Sequence, residues 1–210
     1  MADYRLTFPT TEDVIRGLRA GDSVTVDGHI IGIRDRTQIR MFDQGQRPQM
    51  DLAGALLLHT APNVRKVGEG RYEKLCIGTT TSARMVRFTE PLGRDYGVRA
   101  ICGKGGLPDE AIEPMRRLGM VYFAIVGGAA ALETTQIEEI EEVEWEDLMP
   151  ECLWKFRVKD FGPLTVAIDS HGTSLYHDVQ EEAKRRLEGL YARLSASPKA
   201  YENLRTREKK

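Results

Sequence analysis

The sequence has few cysteines and no long apolar segment, and both shortages narrow the classes of protein it could be. Its 210 residues include only three cysteines, Cys76, Cys102 and Cys152, and no two of them have the CxxC spacing of a metal site. A disulfide framework, or a zinc or iron–sulfur site made by this chain alone, is therefore not expected. Its apolar runs are far shorter than the roughly 18–20 residues that cross a membrane, so no membrane span is expected.

The numbers of positively and negatively charged residues are nearly equal. The chain has 30 Lys and Arg against 32 Asp and Glu, which gives a formal net charge of −2. Proteins that bind nucleic acid in general usually carry a strongly basic face, so this balance argues against such a partner. The N-terminal residues do not show the basic and then apolar pattern of a secretory signal. Together with the unpaired cysteines, this favours a cytoplasmic protein without a membrane partner.

The charges are nevertheless unevenly distributed along the chain. Residues 118–154 contain nine acids and no Lys or Arg, and seven of the acids lie within residues 138–147. We interpret this acidic segment as a solvated helix or loop face, with a contact surface for a basic partner or a neighbouring subunit as the alternative. Residues 184–210 have nine basic residues and three acids, which is typical of a solvated helix end, and residues 197–210 are predicted to be a frayed basic tail.

Hydrophobic periodicity predicts an α/β domain with a mixed sheet. Alternating apolar residues and an Asp27-Gly28 pair predict a hairpin over Ser23–Ile33. Strand and helix patterns alternate in the second half, with Phe156–Val158 and Leu164–Ile168 as separate strands. Apolar residues that recur mostly every four positions from Leu175 predict a C-terminal helix.

Two polar loops each follow a predicted strand and open a predicted helix, the place where open α/β sheets bind ligands. Gly78–Met85 (GTTTSARM) offers hydroxyls, backbone donors and Arg84, which could together surround a carboxylate or a phosphate. Gly103–Gly106 (GKGG) places Lys104 between glycines that allow close approach of a ligand. Ordinary helix capping by Thr and Ser in the first loop, and a plain turn in the second, are the alternatives.

Arg34 follows the predicted hairpin and precedes Asp35. It could pair with Asp35 or offer its guanidinium to a carboxylate, which an Arg binds with two parallel hydrogen bonds. The histidines lack metal-ligand spacing and are interpreted as structural or solvent-facing; they are His29, His59, His171 and His177. The residues alone thus predict a carboxylate site but no particular reaction.

Seven segments together resemble those of one known family, in the same order and with similar spacing. They are Gly21-Asp22, Arg34-Asp35, His59–Lys66 (HTAPNVRK), GTTTSARM, GKGG, Gln136–Trp145 and Leu153–Gly172. The sequence resembles the C-terminal domain of class I fumarases, and more closely the separate beta subunit of two-chain fumarate hydratases and L-tartrate dehydratases. The resemblance implies a single swivelling β/β/α-type domain over residues 1–196, with a mixed sheet and a C-terminal helix.

The resemblance also implies a reaction, a cofactor and a partner. It implies a hydro-lyase that reversibly removes water from a 2-hydroxy dicarboxylate, with malate to fumarate as the first expectation. Tartrate or another hydroxy diacid is one alternative, and a non-catalytic partner subunit is another. In that family an alpha subunit holds a 4Fe-4S cluster, one iron of which acts as a Lewis acid on the leaving hydroxyl. A cluster-bearing alpha subunit in an α2β2 assembly is therefore the expected partner, and no metal ligand is expected in this chain.

Four residues acquire roles from the resemblance. Thr80 matches the family's proton-transferring threonine, and Lys104 matches the lysine beside it, so both are predicted to be catalytic. Arg34 and Arg84 match its carboxylate-binding arginines. Three cations can hold a dianion and stabilise the charge that builds as a C–H bond breaks.

The sequence departs from the family pattern at two positions near these residues. Gln38 stands where the family usually has the histidine of an RDxxH segment, and an amide cannot exchange protons near neutral pH but can still form hydrogen bonds. Thr79 replaces the usual proline before Thr80. Gln38 and Thr81 are predicted to contact the substrate.

Overall fold

The structure is a computed structural model that describes residues 1–126 and 128–195. They belong to two compact units, Met1–Ser174 and a second that begins at Leu175. The predicted tail 197–210 lies outside the described residues. Within these residues, no helix is both long enough and apolar enough to span a membrane.

The described residues of the first unit form nine strands and four α-helices. The strands are β1 (Asp3–Phe8), β2 (Ser23–Ile33), β3 (Leu56–His59), β4 (Asn63–Gly68), β5 (Arg71–Cys76), β6 (Ala100–Gly103), β7 (Val121–Ala124), β8 (Ile137–Glu144) and β9 (Leu153–Ile168). The α-helices are α1 (Glu12–Arg16), α2 (Asp35–Phe42), α3 (Thr89–Tyr96) and α4 (Ile112–Leu118). Short 3₁₀ helices cover Ala83–Phe88, Asp109–Ala111, Ala129–Gln136 and Glu146–Leu148. The second unit contributes the predicted C-terminal helix, α5 (Leu175–Ser195).

Five of the strands close into a ring. β2, β3, β6 and β7 are parallel neighbours in that order, and β9 runs antiparallel to both β7 and β2. β1 extends the sheet beside β2, and β8 extends it beside β9. The buried core is rich in branched and aromatic side chains, among them Val26, Ile30, Leu58, Phe123 and Trp154. The predicted α/β class with a mixed sheet is confirmed.

The predicted hairpin over Ser23–Ile33 is wrong, because this segment is one continuous strand, β2. β2 pairs with β1 and β3 and also with β9, and this pairing outweighs the turn preference of Asp27-Gly28. Gly28 instead allows a close approach between strands: its φ is 95°, and an added Cβ would lie 2.3 Å from the carbonyl oxygen of Phe8.

The strand predictions near the end of the first unit need a similar correction. Phe156–Val158 and Leu164–Ile168 belong to the single long strand β9. The strand bends between them, where Asp160 has a φ of 54° and Gly162 a φ of 131°. Irregular register with β2 accompanies the bend, as is common where a strand turns a corner in a closed sheet.

The acid-rich residues 138–147 are expected to form a helix or loop, but most of them lie in the strand β8. Several of their side chains are exposed, as expected for a solvated face. The acids of this segment are largely engaged within the chain. Glu138, Glu139 and Glu141 pair with Arg157. Glu146 pairs with Lys66, and Asp147 pairs with Arg40. The carboxylate of Glu144 accepts hydrogen bonds from the backbone N–H groups of Gln49 and Met50. Six of the seven acids in residues 138–147 therefore have partners among the described residues. These partners include only three Lys or Arg side chains, so the segment keeps a net negative charge.

Asp27 gives the stability of the first unit a predictable dependence on pH. The backbone N–H of Asp160, Arg5 and Lys159 all donate to its carboxylate, and they hold its pKa at about 2, below the ordinary 3.8. The unfolded chain therefore takes up this proton first as the pH falls, so the contribution is present above about pH 4 and is lost towards pH 2. We expect Asp27→Asn to lower the free energy of unfolding by about 1 kcal/mol at about pH 6 and by much less at about pH 2.5.

Urea unfolding at the two pH values measures this difference. Asp13→Asn, at an exposed position on α1, is the matched control and should follow the wild-type protein at both pH values. An equal loss of stability in Asp27→Asn at both pH values would contradict the role assigned to the carboxylate.

Candidate functional site

The candidate site lies where three parallel strands of the ring end. β2, β3 and β6 are parallel neighbours, so their carboxyl ends lie at the same edge of the sheet. Arg34 follows β2, His59 ends β3, and Lys104 follows β6. This edge is the usual place for ligands in α/β sheets.

The Gly78–Ser82 loop is fastened between the ends of β3 and β6. The N–H of Thr80 donates to the carbonyl of His59 at 2.8 Å, and the N–H of Ser82 donates to the carbonyl of Lys104 at 3.0 Å. Thr81 and Lys104 form an isolated parallel bridge, and the N–H of Lys104 lies 3.4 Å from the carbonyl oxygen of Thr80. The structure thus brings Thr80 and Lys104 together through the backbone.

Arg84 connects this loop to the start of α2. Its Nε and Nη2 atoms donate to the two carboxylate oxygens of Asp35 at 2.8 and 2.7 Å. Nη2 also donates to Thr80 Oγ1 at 3.1 Å, and Nη1 donates to the carbonyl of Thr81 at 3.0 Å. These four hydrogen bonds leave one of the five guanidinium N–H groups available.

Arg34 is much less engaged. Its Nε lies 3.4 Å from Asp35 and 3.7 Å from Glu151, and among the described residues its Nη1 and Nη2 atoms donate no hydrogen bond. The sequence suggested a pair between Arg34 and Asp35, but Arg84 makes the shorter, two-point contact with that carboxylate. Burial alone would raise the pKa of Asp35, yet the hydrogen bonds and charge of Arg84 hold it below its ordinary value of 3.8.

Lys104 is half-buried, and its ammonium group has no ion pair within the part of the chain that the structure describes. Gly103 lets the segment pack tightly beneath it, because an added Cβ would lie 2.0 Å from Ser82 Oγ. Gly105 has a φ of 77°, which favours glycine over other residues. The GKGG glycines therefore serve both packing and backbone conformation.

The two other predicted substrate contacts differ in their surroundings. Thr81 is exposed, beside the Lys104 backbone. Gln38 is fully buried on α2, where its amide nitrogen donates to the Arg34 carbonyl at 3.4 Å and contacts Met85 Sδ at 3.0 Å. Its amide oxygen has no hydrogen-bond partner among the described residues. Both substrate contacts stay predictions.

Sequence reasoning assigned no place in the site to His59, Ser82 or Tyr122. The His59 ring bonds to Ser82 Oγ at 2.9 Å, and the Tyr122 hydroxyl donates to the same oxygen at 3.0 Å. The one available signal was that His59 opens the HTAPNVRK segment of the family resemblance. Nothing in the local pattern indicated that Tyr122, on β7, would reach the loop.

This geometry defines a class of protein: an α/β domain with three cations and a threonine hydroxyl at one edge of its sheet. The family model described as Fumarase C-terminus matches residues 3–179. Because the match covers most of the chain, the chain belongs to that family.

Named relatives agree with this assignment. The chain is 38% identical over 171 residues to "L(+)-tartrate dehydratase subunit beta" of Escherichia coli K12, which covers 81% of this chain and 85% of the relative. It is 34% identical over 193 residues to "Putative L(+)-tartrate dehydratase subunit beta" of Methanocaldococcus jannaschii, which covers 90% and 98%. It is also 34% identical to "Putative fumarate hydratase class I" of Geobacillus stearothermophilus, over 87% of this chain and 35% of that protein.

Proposed function

We propose that this chain is the beta subunit of a hydro-lyase that reversibly dehydrates a 2-hydroxy dicarboxylate. The names of its relatives support a hydro-lyase, and those named as separate beta subunits support a partner chain. The observation that carries the proposal is the placement of Thr80, which shares one loop framework with Lys104 and receives a hydrogen bond from Arg84.

The cations suit a substrate with two carboxylates. Arg34 can bind one carboxylate through Nη1 and Nη2, the geometry in which a guanidinium binds most strongly. Lys104 and the remaining N–H of Arg84 can bind the other. Because the bound dianion and these groups carry opposite charge, the net charge of −2 does not oppose binding at this position.

Thr80 is the group that we assign to proton transfer. The hydrogen bond from Arg84 Nη2 to Thr80 Oγ1, together with the positive charge of the guanidinium, favours the alkoxide form of the hydroxyl. In the dehydration direction, this alkoxide would remove the proton from the carbon next to the hydroxyl-bearing carbon. The electrons of that C–H bond would form the double bond, and hydroxide would leave the neighbouring carbon with the electrons of the C–O bond. The hydroxide and the proton on Thr80 would then leave as water, which restores the alkoxide. In the hydration direction, the Thr80 hydroxyl would return the proton to carbon.

The implied 4Fe-4S cluster does not fit this chain. In residues 1–126 and 128–195 there is no group of three or more His, Cys, Asp and Glu side chains arranged to hold a metal ion. Cys76 is exposed, whereas Cys102 and Cys152 are separately buried. We therefore assign the cluster to an alpha subunit, with α2β2 as the assembly, and the steps proposed for this chain do not use it.

Two substrates remain as candidates. Malate, giving fumarate, is the first, and the relative named as a class I fumarate hydratase supports it. L(+)-tartrate is the second, supported by the names of the relatives that match as separate beta subunits. Gln38, at the position of the usual family histidine, also favours a substrate other than malate.

The test is to purify the chain anaerobically with a cluster-bearing alpha subunit and to measure both reactions. Malate dehydration is followed by the absorbance of fumarate, and tartrate dehydration by the keto acid that it yields. Turnover of either diacid supports the proposal, and their ratio identifies the substrate. A stable complex that turns over neither acid, nor any other hydroxy diacid, would contradict it and favour a non-catalytic subunit.

A further inference from the structure

His59 lies at the centre of a buried hydrogen-bond network beneath the Thr80 loop. The residue is 1% exposed and Ser82 is fully buried. Its ring nitrogen Nδ1 lies 2.9 Å from Ser82 Oγ, and its backbone carbonyl accepts the N–H of Thr80 at 2.8 Å. One residue therefore contacts the loop at two points, through its ring and through its main chain.

Ser82 extends this network in two directions. Its oxygen accepts the hydroxyl of Tyr122 at 3.0 Å. In the His59 tautomer with its proton on Nε2, the Ser82 hydroxyl can then donate to Nδ1. Its N–H donates to the carbonyl of Lys104 at 3.0 Å. The close approach of Gly103 to both Ser82 Oγ and His59 Cβ leaves no room for another side chain between the loop and β6. The position of Ser82 is therefore coupled to that of Lys104.

The ring is neutral under ordinary conditions. Burial lowers the pKa of His59, the charge of Asp35 raises it and the charge of Arg84 lowers it, and the net result is a pKa of about 3. A neutral imidazole can accept the Ser82 proton at Nδ1 near neutral pH. Protonation of the ring therefore does not disrupt the contact with Ser82 near neutral pH.

We propose that His59 is a positioning residue, whose ring fixes Ser82 and thereby holds Thr80 and Lys104 in the arrangement that proton transfer needs. This inference rests on the proposed function of the site. His59 acts through Ser82 and the loop backbone, and it exchanges no proton with the substrate. Its removal should therefore affect the proton-transfer step more than the binding of the dicarboxylate, because Arg34 at the start of α2 and the contacts of Arg84 with Asp35 lie outside this network. Only Lys104 among the three cations belongs to it.

Two substitutions separate the position of the ring nitrogen from its chemistry. In His59→Asn, the side-chain oxygen lies near the place of Nδ1 and can accept the Ser82 proton. In His59→Leu, a similar volume is kept and the acceptor is lost. We expect His59→Leu to lower kcat of the assembled enzyme by about 10²-fold with a much smaller rise in KM. His59→Asn should restore most of the activity without altering the pH profile.

Hydrogen exchange of the beta chain alone gives a readout that does not depend on activity. In His59→Leu, the amides of Thr80 and Ser82 should exchange at least about tenfold faster, whereas in His59→Asn they should stay near wild type. The amide of Leu57, in β3, should be unchanged and reports whether the fold is intact. If His59→Leu does not fold, Ser82→Ala breaks the same network and should give the same exchange and kinetic changes.

Each other outcome identifies what has failed. Unchanged exchange and activity in His59→Leu would overturn the positioning role. An inactive His59→Asn with normal Thr80 and Ser82 protection would also overturn it, because the ring would then act directly on the reaction. If the wild-type complex dehydrates no diacid but His59→Leu still exchanges faster at Thr80 and Ser82, the proposed function would be refuted. The coupling of His59 to the loop would then still be established.

Discussion

Under the proposed function, replacing Thr80 by valine is expected to lower kcat of the complex with the alpha subunit by about 10³-fold, within the range that general acid–base groups contribute. Valine keeps the branched shape of threonine, so the loop and its backbone hydrogen bonds to His59 and Lys104 should persist. The variant loses only the oxygen that accepts the Arg84 hydrogen bond and carries the proton. KM should change little, because none of the three cations is altered.

Steady-state kinetics in both reaction directions measure this effect. Thr25→Val, on β2 and outside the site, is the matched control and should keep wild-type kcat. A solvent isotope exchange assay adds a second readout, since Thr80→Val should also stop the exchange of the substrate C–H proton with water. A Thr80→Val enzyme with normal kcat would show that another group transfers the proton.

Replacing Arg34 by methionine is expected to lower kcat/KM by about 10²- to 10³-fold, mainly through KM. A two-point bond between a guanidinium and a carboxylate is made of charge-assisted hydrogen bonds, whose loss together costs about 3–4 kcal/mol. Methionine keeps most of the aliphatic length of the side chain. The contacts between Arg84 and Asp35 do not involve Arg34 and should persist.

Arg36→Met is the control for the change in net charge. Arg36 lies two residues further along on α2, and its side chain is exposed. Its loss should therefore lower kcat/KM only through the weaker, long-range attraction between the protein and the dianion. Equal losses in the two variants would mean that Arg34 does not contact a substrate carboxylate. The difference between the variants should persist at high salt, because a direct contact is screened less than a distant charge.

The sequence predicted the fold where local signals act without competition. The periodicity of apolar residues from Leu175 is such a signal, and it corresponds to α5. Predictions failed where pairing between distant segments decided the structure. Asp27-Gly28 is a strong turn signal, yet strands on both sides of β2 hold it extended.

The candidate site shows the same difference between what local signals predict and what contacts between distant segments decide. Arg34, Thr80, Arg84 and Lys104 were chosen as a group only through the resemblance, and the structure places all four at one edge of the sheet. The partners of these residues could not be read from spacing. The contact between Arg84 and Asp35 joins residues 49 positions apart, and its preference over the neighbouring Arg34 depends on the direction in which each side chain leaves the backbone.

The unequal engagement of the two arginines has a stereochemical consequence. Arg34 has two nitrogens without a hydrogen bond to the described residues, whereas four hydrogen bonds leave Arg84 a single N–H. Under the proposed function, the two ends of a diacid meet receptors of different capacity. An unsymmetrical substrate such as malate would then be bound in one orientation, with its hydroxyl-bearing carbon distinguished from its methylene carbon before any bond breaks. Tartrate, whose two halves are equivalent, would react whichever way it entered.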